Sequence, residues 1–277
     1  MKILAIEAAT GLGGVALIED DAIRAECRID MTMSHAERLM VMVDRVLNDA
    51  GLGLDDLDGL AVSIGPGSFT GLRVAVSTVK GLVTGKPIPV AAVPTLEAMA
   101  WTIPAGDHSI CPMIDAKKLE VYAALFSCRE DGTLIRVMED QVVTPEALCE
   151  RLRGPSSPPT VFLGDGATKY REVLEKQLGR RAVFMPAPLS RPLPSMVAWL
   201  GLRQLLRGEA AEARALVPVY IRRSEAELNW EKGVAPRKLN LKRAAGKPSE
   251  QGEREGEAPS GLAGGGGDAS PYKSRRR

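Results

Sequence analysis

Short apolar runs parted by turn residues open the chain. Ile3 to Ile6 reads as a buried strand and Gly13 to Ile18 as a second, after a glycine-rich turn. Ile23 to Ile29 reads as a third, because apolar and polar positions there partly alternate. Ser34 followed by Glu37 has the form of a capping box, and Leu39, Met40, Val43, Val46 and Leu47 continue at helical spacing to Gly51. Val41 and Met42 widen that apolar surface beyond one stripe, which suits either a deeply buried helix or one covered by another chain. Leu60 to Ile64 predicts a buried strand, about Leu72 to Val83 a helix, Ile88 to Val93 a strand and Thr95 to Ala100 a further helix.

That order, three strands and then alternating helices and strands, is the half-domain pattern of the α/β actin, sugar-kinase and heat-shock-ATPase folds, in which a ribonuclease-H-like unit occurs twice. The second half follows it less regularly. Ile110 to Ile114, Glu120 to Ser127 and Thr133 to Val137 supply a second meander; Pro145 to Leu152 predicts a helix and Thr160 to Leu163 a strand. Helices are expected at about Ala167 to Leu178 and Leu193 to Leu206. The expected organisation is an actin-like lobe over residues 1–105, a smaller one over 106–230, each a mixed sheet flanked by helices, and a tail over 231–277. The tail has few large apolar residues, four consecutive glycines at 264–267 and many charges, a composition that predicts disorder.

Composition sharpens this picture. The chain has 277 residues with Lys plus Arg 36 against Asp plus Glu 35, a net charge of +1. Eleven basic and six acidic residues lie beyond Trp230, leaving the first 230 residues at −4. No global field therefore attracts nucleic acid or an anionic membrane. Aromatic residues are only 4%, too few for a base-stacking surface and consistent with a core of aliphatic side chains. Four scattered cysteines without a Cys-x-x-Cys pair read as reduced thiols. The first residues carry Glu7 in a run too short and too acidic for a signal peptide or a membrane span, which predicts a cytoplasmic protein.

The candidate chemistry is concentrated in Gly65-Pro66-Gly67-Ser68-Phe69-Thr70-Gly71. Glycines after a buried strand and before a helix suit a loop that aims backbone N–H groups at a phosphate or carboxylate, with Gly65, Gly67, Thr70 and Gly71 as its candidate residues. The same glycines also suit a compact turn with no ligand. Lys80, further along the helix, is a candidate to neutralise an anion. The loop has neither the Gly-Lys-Ser/Thr of a Walker loop nor a dinucleotide fingerprint. Glu7 stands at the end of the first strand, where ATPases of this fold place a magnesium-positioning acid. Asp115, with Lys117 and Lys118, fits a hairpin turn or a residue facing a cleft. The only histidines are His35, in a capped helix, and His108, beside Asp107 in a polar turn, so no His-rich metal centre and no His-Glu-x-x-His protease motif can be assembled.

Ile3 to Thr10, Ser34 to Leu39, Gly65 to Val74, Lys80 to Leu82, Val93 to Ala98, Ile114 to Tyr122 and Val217 to Arg222, in this order, closely resemble the bacterial TsaB family over about residues 1–225. The resemblance implies a non-catalytic subunit of the system that builds N6-threonylcarbamoyladenosine beside the tRNA anticodon. It implies pairing with the catalytic TsaD subunit, with the ATPase TsaE through that pair and with tRNA indirectly, a homodimer when the chain is alone, and no membrane. The catalytic relatives carry a His-x-x-x-His metal pair where this chain reads Thr95 to Met99, so no metal or cofactor is expected on this chain alone; ATP and metal are expected on the partner subunits. The helices over 34–50 and 71–84 are the expected partner surface, with Val41, Met42 and Val76 as interface core and His35, Arg38, Arg45 and Arg73 around it. A chain that works alone as a nucleotide-dependent transferase or ATPase through the Gly65–Gly71 loop is the alternative.

Overall fold

Residues 2–30 of the computed structural model form an antiparallel meander, β1 (Lys2–Glu7), β2 (Leu12–Glu19) and β3 (Ala22–Asp30). The structure describes residues 1–30, 35–154 and 158–222. The Ser34 cap and the 231–277 tail lie outside them, as does the side chain of His35. Helix α1 (His35–Ala50) follows, then β4 (Gly59–Gly65), α2 (Phe69–Leu82), β5 (Val90–Pro94) and α3 (Thr95–Ala100). β4 and β5 run parallel to β1, giving the sheet order β3-β2-β1-β4-β5.

The chain then repeats the arrangement. β6 (His108–Lys117), β7 (Glu120–Cys128) and β8 (Leu134–Val143) form a second meander; α4 (Pro145–Leu152) leads to β9 (Thr160–Leu163), and α5 (Asp165–Lys169) with α6 (Arg171–Leu178) leads to β10 (Ala182–Phe184). β9 and β10 join parallel to β6, so the second sheet reads β8-β7-β6-β9-β10, the order of the first. Two mixed sheets of one topology, joined in one chain, are the actin-like arrangement expected from the element order.

Several boundaries differ from the sequence reading. α2 begins at Phe69 rather than about Leu72, because the Ser68 hydroxyl caps it by accepting from the Gly71 N–H at 3.3 Å. The helix expected over 167–178 breaks at Tyr170, whose ψ of 21° leaves the helical range. β8 continues past Val137 because Asp140, an acid that ends a hydrophobic run, is held by Arg136 from the same strand. β10, of three residues, leaves too short a pattern to read.

Helix α7 (Pro194–Leu206) is the larger correction. Sequence order places it in the second lobe, over 106–230, but it lies across β1, β2, β4 and β5 of the first sheet. Val197, Ala198, Leu200 and Leu202 join Ile3, Ala5, Ile18, Ala61, Ala91 and Val93 in one core cluster. The approach is close: a Cβ on Gly201 would stand 2.4 Å from the Ala61 Cβ. On the opposite face α1 and α2 cover the same sheet through Leu39, Met42, Val43, Val46, Ala75, Val76 and Val79. The first sheet is thus buried on both faces, as its nearly unbroken apolar strands require.

Candidate functional site

The C-terminal ends of β1 and β4 meet the β6–β7 hairpin across a cavity of about 400 Å³ lined by Thr10, Gly67, Ser68, Phe69, Asp115, Lys117, Tyr122 and Asp165, among others. In open α/β sheets this end of the strands is where ligands sit. Here the sequence-singled loop 65–71 and Asp115 come together.

The loop's glycines are used against protein rather than against a ligand. A Cβ on Gly67 would lie 2.3 Å from the Ala9 carbonyl oxygen, and one on Gly71 only 1.9 Å from that of Ala8. Ser68 N–H donates to the Ala9 carbonyl at 2.6 Å, and Gly65 has φ +118° beside the Val219 carbonyl. The segment is seated directly on the β1–β2 turn, and Ser68 and Gly71 spend their polar groups on that seat and on the cap. Thr70 is exposed, its neighbour Phe69 packs on Tyr220 with centroids 4.8 Å apart, and Arg73 lies over the Phe69 ring at 5.0 Å. Lys80 is in the last turn of α2, roughly 16 Å along the helix axis from the loop, and takes no part in the cavity.

Glu7 lies beneath the loop and is fully buried. One carboxyl oxygen accepts from the Ala9 N–H at 2.6 Å and from the Ser63 hydroxyl at 3.4 Å; the other has no partner. Burial pushes its pKa up to about 8 against these two bonds, so the neutral acid prevails at pH 7. A neutral, enclosed acid does not position magnesium. With an ordinary value of 4.5 in the unfolded chain, the folded state binds the extra proton between pH 4.5 and about 8. The stability this group contributes is complete below pH 4.5 and lost as pH rises to about 8. Glu7→Gln, which keeps a neutral side chain of the same shape, is expected to flatten that decline and to stabilise the protein at pH 8 by on the order of a few kcal/mol, measured by urea unfolding across the range.

The second lobe brings charged groups to the other wall. Burial pushes the Asp115 carboxyl up, but hydrogen bonds from Lys117 and Lys169 outweigh it and hold the acid below its ordinary range. The distances are 3.0 Å to each ammonium, and the Lys117 N–H also donates at 3.1 Å. Asp165 accepts from the Asp115 N–H at 3.0 Å and from Arg191 at 3.1 Å. Lys117, Lys118 and Leu119 all have positive φ, and Arg222 ties the hairpin down through the Ala116 carbonyl and Glu120. Both readings of Asp115 meet here: it turns the backbone and it faces the cleft.

Asp165, Lys169 and Arg191 were not found from the sequence. Their signal is Gly164-Asp165-Gly166 after a buried strand, the counterpart of the Gly65–Gly71 loop. A Cβ on Gly164 would stand 1.9 Å from the Met113 carbonyl oxygen, the same close seat on the first strand of its own sheet.

Where a metal pair is implied in catalytic relatives, Thr95 and Met99 are fully buried in the core, and Thr95 has an unpartnered hydroxyl. A thioether packed with Leu96, Ala100 and Ile110, and a buried hydroxyl, do not make a site for a metal that takes imidazoles. Glu97 turns outward to Arg136 of the second lobe at 3.3 Å. His108 is half-buried and begins β6 rather than lying in a turn. Among the described residues no group of three or more metal-ligating side chains converges, and no helix is long and apolar enough to cross a membrane.

The expected partner surface divides in two. Val41 is 67% exposed and Met40 45%, with Arg38, Arg45 and Arg73 exposed nearby. Arg38 donates to the Asp30 carbonyl at 3.1 Å and Arg45 pairs with Asp49 at 3.5 Å. Met42 and Val76, expected as interface core, are instead 3% and 4% exposed inside the core of their own lobe. Steps of 100° per residue turn position 42 inward when 41 faces out. Cys27, Ile29, Arg38, Val41, Met42 and Arg45 enclose a groove of about 290 Å³ between β3 and α1.

The repeated sheet topology and the inter-lobe cleft define a two-lobed α/β protein of the actin and heat-shock-ATPase type. Its relatives narrow that class. A family model described as TsaD, tRNA N6-adenosine threonylcarbamoyltransferase, matches residues 30–230. The chain is 35% identical over 230 residues to the tRNA threonylcarbamoyladenosine biosynthesis protein TsaB of Bacillus subtilis, covering 83% of this chain and 98% of that one. It is 31% identical over 235 residues to the protein of the same name from Escherichia coli, covering 84% and 98%. The solved structure of YeaZ from Pseudomonas aeruginosa superposes with a TM-score of 0.67 at 30% identity, covering 79% of this chain and 99% of that one. The chain belongs to the TsaB family.

Proposed function

We propose that this chain serves tRNA threonylcarbamoyladenosine biosynthesis as a non-catalytic partner of a TsaD-like subunit. The observation that carries this reading is the pairing of an emptied chemical site with an unpartnered apolar helix face. Thr95 and Met99 stand buried where imidazoles would be needed, Glu7 is a neutral acid under the loop, and Asp115 and Asp165 are held by cations of their own lobe. Meanwhile Met40 and Val41 expose apolar surface on α1, rimmed by Arg38, Arg45 and, from α2, Arg73. That is the distribution of an apolar centre with a polar rim. In this reading ATP and metal belong to the partner subunits, a TsaE-like ATPase joins through the pair, and the lone chain pairs with itself through the same face. Binding shifts the catalytic subunit by contacting one of its conformations better than the other.

Reconstituted threonylcarbamoylation with purified TsaD- and TsaE-like proteins tests it: activity is expected to depend on this chain, and activity unchanged by its omission sinks the reading. The alternative, an autonomous nucleotide-dependent enzyme, is met by titrating the lone chain calorimetrically with ATP and magnesium. No saturable heat is expected. Tight binding abolished by Thr70→Val, an exposed position, would favour the alternative. Gly67→Val is unsuited to the purpose, because its side chain collides with Ala9 whether or not a nucleotide binds.

A further inference from the structure

At the far end of α2 from the cleft, Lys80, Val83, Thr84, Gly85, Lys86, Ala213 and Arg214 enclose a concavity of about 350 Å³. We propose that it is a phosphate-binding pocket and that its ligand is the sugar-phosphate backbone of RNA.

Three cations line it from two separate pieces of chain. Lys80 is in the last turn of α2, and its ammonium donates to the Arg214 carbonyl at 2.9 Å, which fixes the helix and the 211–216 segment to each other. Lys86 follows the Gly85 turn and pairs with Asp55. Arg214 is exposed, and its guanidinium has no partner among the described residues. Its position is nonetheless fixed: Ala211 N–H bonds the Val90 carbonyl at 2.8 Å on one side, and Leu216 is buried on the other. The residues enclosing the concavity thus include three cations and no carboxylate, in a body of 230 residues that is net negative.

A lone lysine in a last turn is explained by the helix dipole; an arginine and a second lysine delivered from outside the helix are not. Three of the last four α2 carbonyls, which would repel an anion at a helix C-terminus, are engaged. Val79 and Gly81 accept from the Val83 and Thr84 N–H groups, Val83 accepts from Lys86 N–H at 3.0 Å, and Lys80 accepts from the Thr84 hydroxyl at 2.7 Å. A Cβ at Gly85 would meet nothing within 4 Å, so the pocket mouth is open. An arginine fork with two ammonium groups suits a phosphodiester, whose two non-bridging oxygens share one negative charge and which repeats along the chain. The choice of RNA rests on the tRNA-modification reading; the anion site does not.

The test uses the full-length chain, its C-terminal segment kept in every variant. A labelled tRNA transcript is titrated by fluorescence anisotropy over a salt series, with inorganic pyrophosphate as a second probe. Lys86→Glu combined with Arg214→Glu is expected to weaken RNA binding at least tenfold and to lower the slope of log affinity against log salt by about two. Asp55→Asn, which frees Lys86, is expected to tighten it. Both variants should keep the parent's unfolding midpoint, since a surface pair contributes little. RNA binding and pyrophosphate binding both unchanged in the double variant overturn the proposal. Pyrophosphate binding lost in the double variant while RNA binding is unaffected overturns the choice of RNA and leaves a small phosphorylated ligand. Loss of RNA binding with threonylcarbamoylation independent of the chain would count against the functional reading and not against the pocket.

Discussion

Gly71→Ala is expected to lower the unfolding midpoint by about 6–12 °C, from a loss of roughly 3 kcal/mol or more. The added methyl would stand 1.9 Å from the Ala8 carbonyl oxygen, a backbone atom that yields only if β1 or α2 shifts. Both are held: β1 is the central strand of its sheet, and α2 is capped at Ser68 and packed through Leu72, Ala75, Val76 and Val79. Gly11→Ala, in the adjoining turn, is the control. Its Cβ would meet nothing within 4 Å, and its midpoint should hold within a degree or two. Were the two variants equally stable by differential scanning calorimetry, the seating of the loop on the turn would be wrong and its glycines would be available to a ligand.

Met42→Asp should fail to fold, or lose several kcal/mol, while Val41→Asp should fold normally and lose its partner. Met42 is 3% exposed among Leu39, Val43, Val46 and Leu60, where a carboxylate finds no donor. Val41 is 67% exposed, so its replacement changes stability by about 0.5 kcal/mol or less. At the centre of an interface, however, an aspartate brings an unpaired charge to an apolar contact, which costs tenfold or more in affinity. A pull-down with the TsaD-like subunit, alongside thermal unfolding of each variant, reads both effects. A stable Met42→Asp protein would contradict the packing of α1, and Val41→Asp protein that still binds would remove the proposed face.

Much of the architecture is written in local pattern. The buried runs at Ile3–Ile6, Leu60–Ile64 and Thr160–Leu163 are strands, and even the duplicated sheet order follows from two meanders each trailed by parallel strands. The sides of the helices were legible too, had the period been applied strictly. Leu39, Met42, Val43 and Val46, and Leu72, Ala75, Val76 and Val79, stand at i, i+3, i+4 and i+7, and all face the core. Taking Val41, Met42 and Val76 together as one interface core mixes an outward position with two inward ones. The loop was found, but its glycines cannot reveal in sequence whether a ligand or a neighbouring carbonyl comes close. The second wall of the cleft was legible only in part: Asp115 and the Gly164-Asp165-Gly166 turn carry a local signal, but Asp115, Asp165, Lys169 and Arg191 meet only once β6, α5 and the segment before α7 have docked, and no spacing encodes that.

Helix α7 has a consequence for the order of events during synthesis. The sheet that begins at Lys2 keeps most of one face uncovered until residues 194–206 have left the ribosome, because α3 reaches only its β4–β5 side and no earlier segment supplies Val197, Ala198, Leu200 and Leu202. The second sheet needs no such delay, its two core clusters coming from residues 96–185. The part of the chain made first is therefore finished last, and a nascent chain stopped before residue 194 would carry an open apolar sheet for a chaperone to cover.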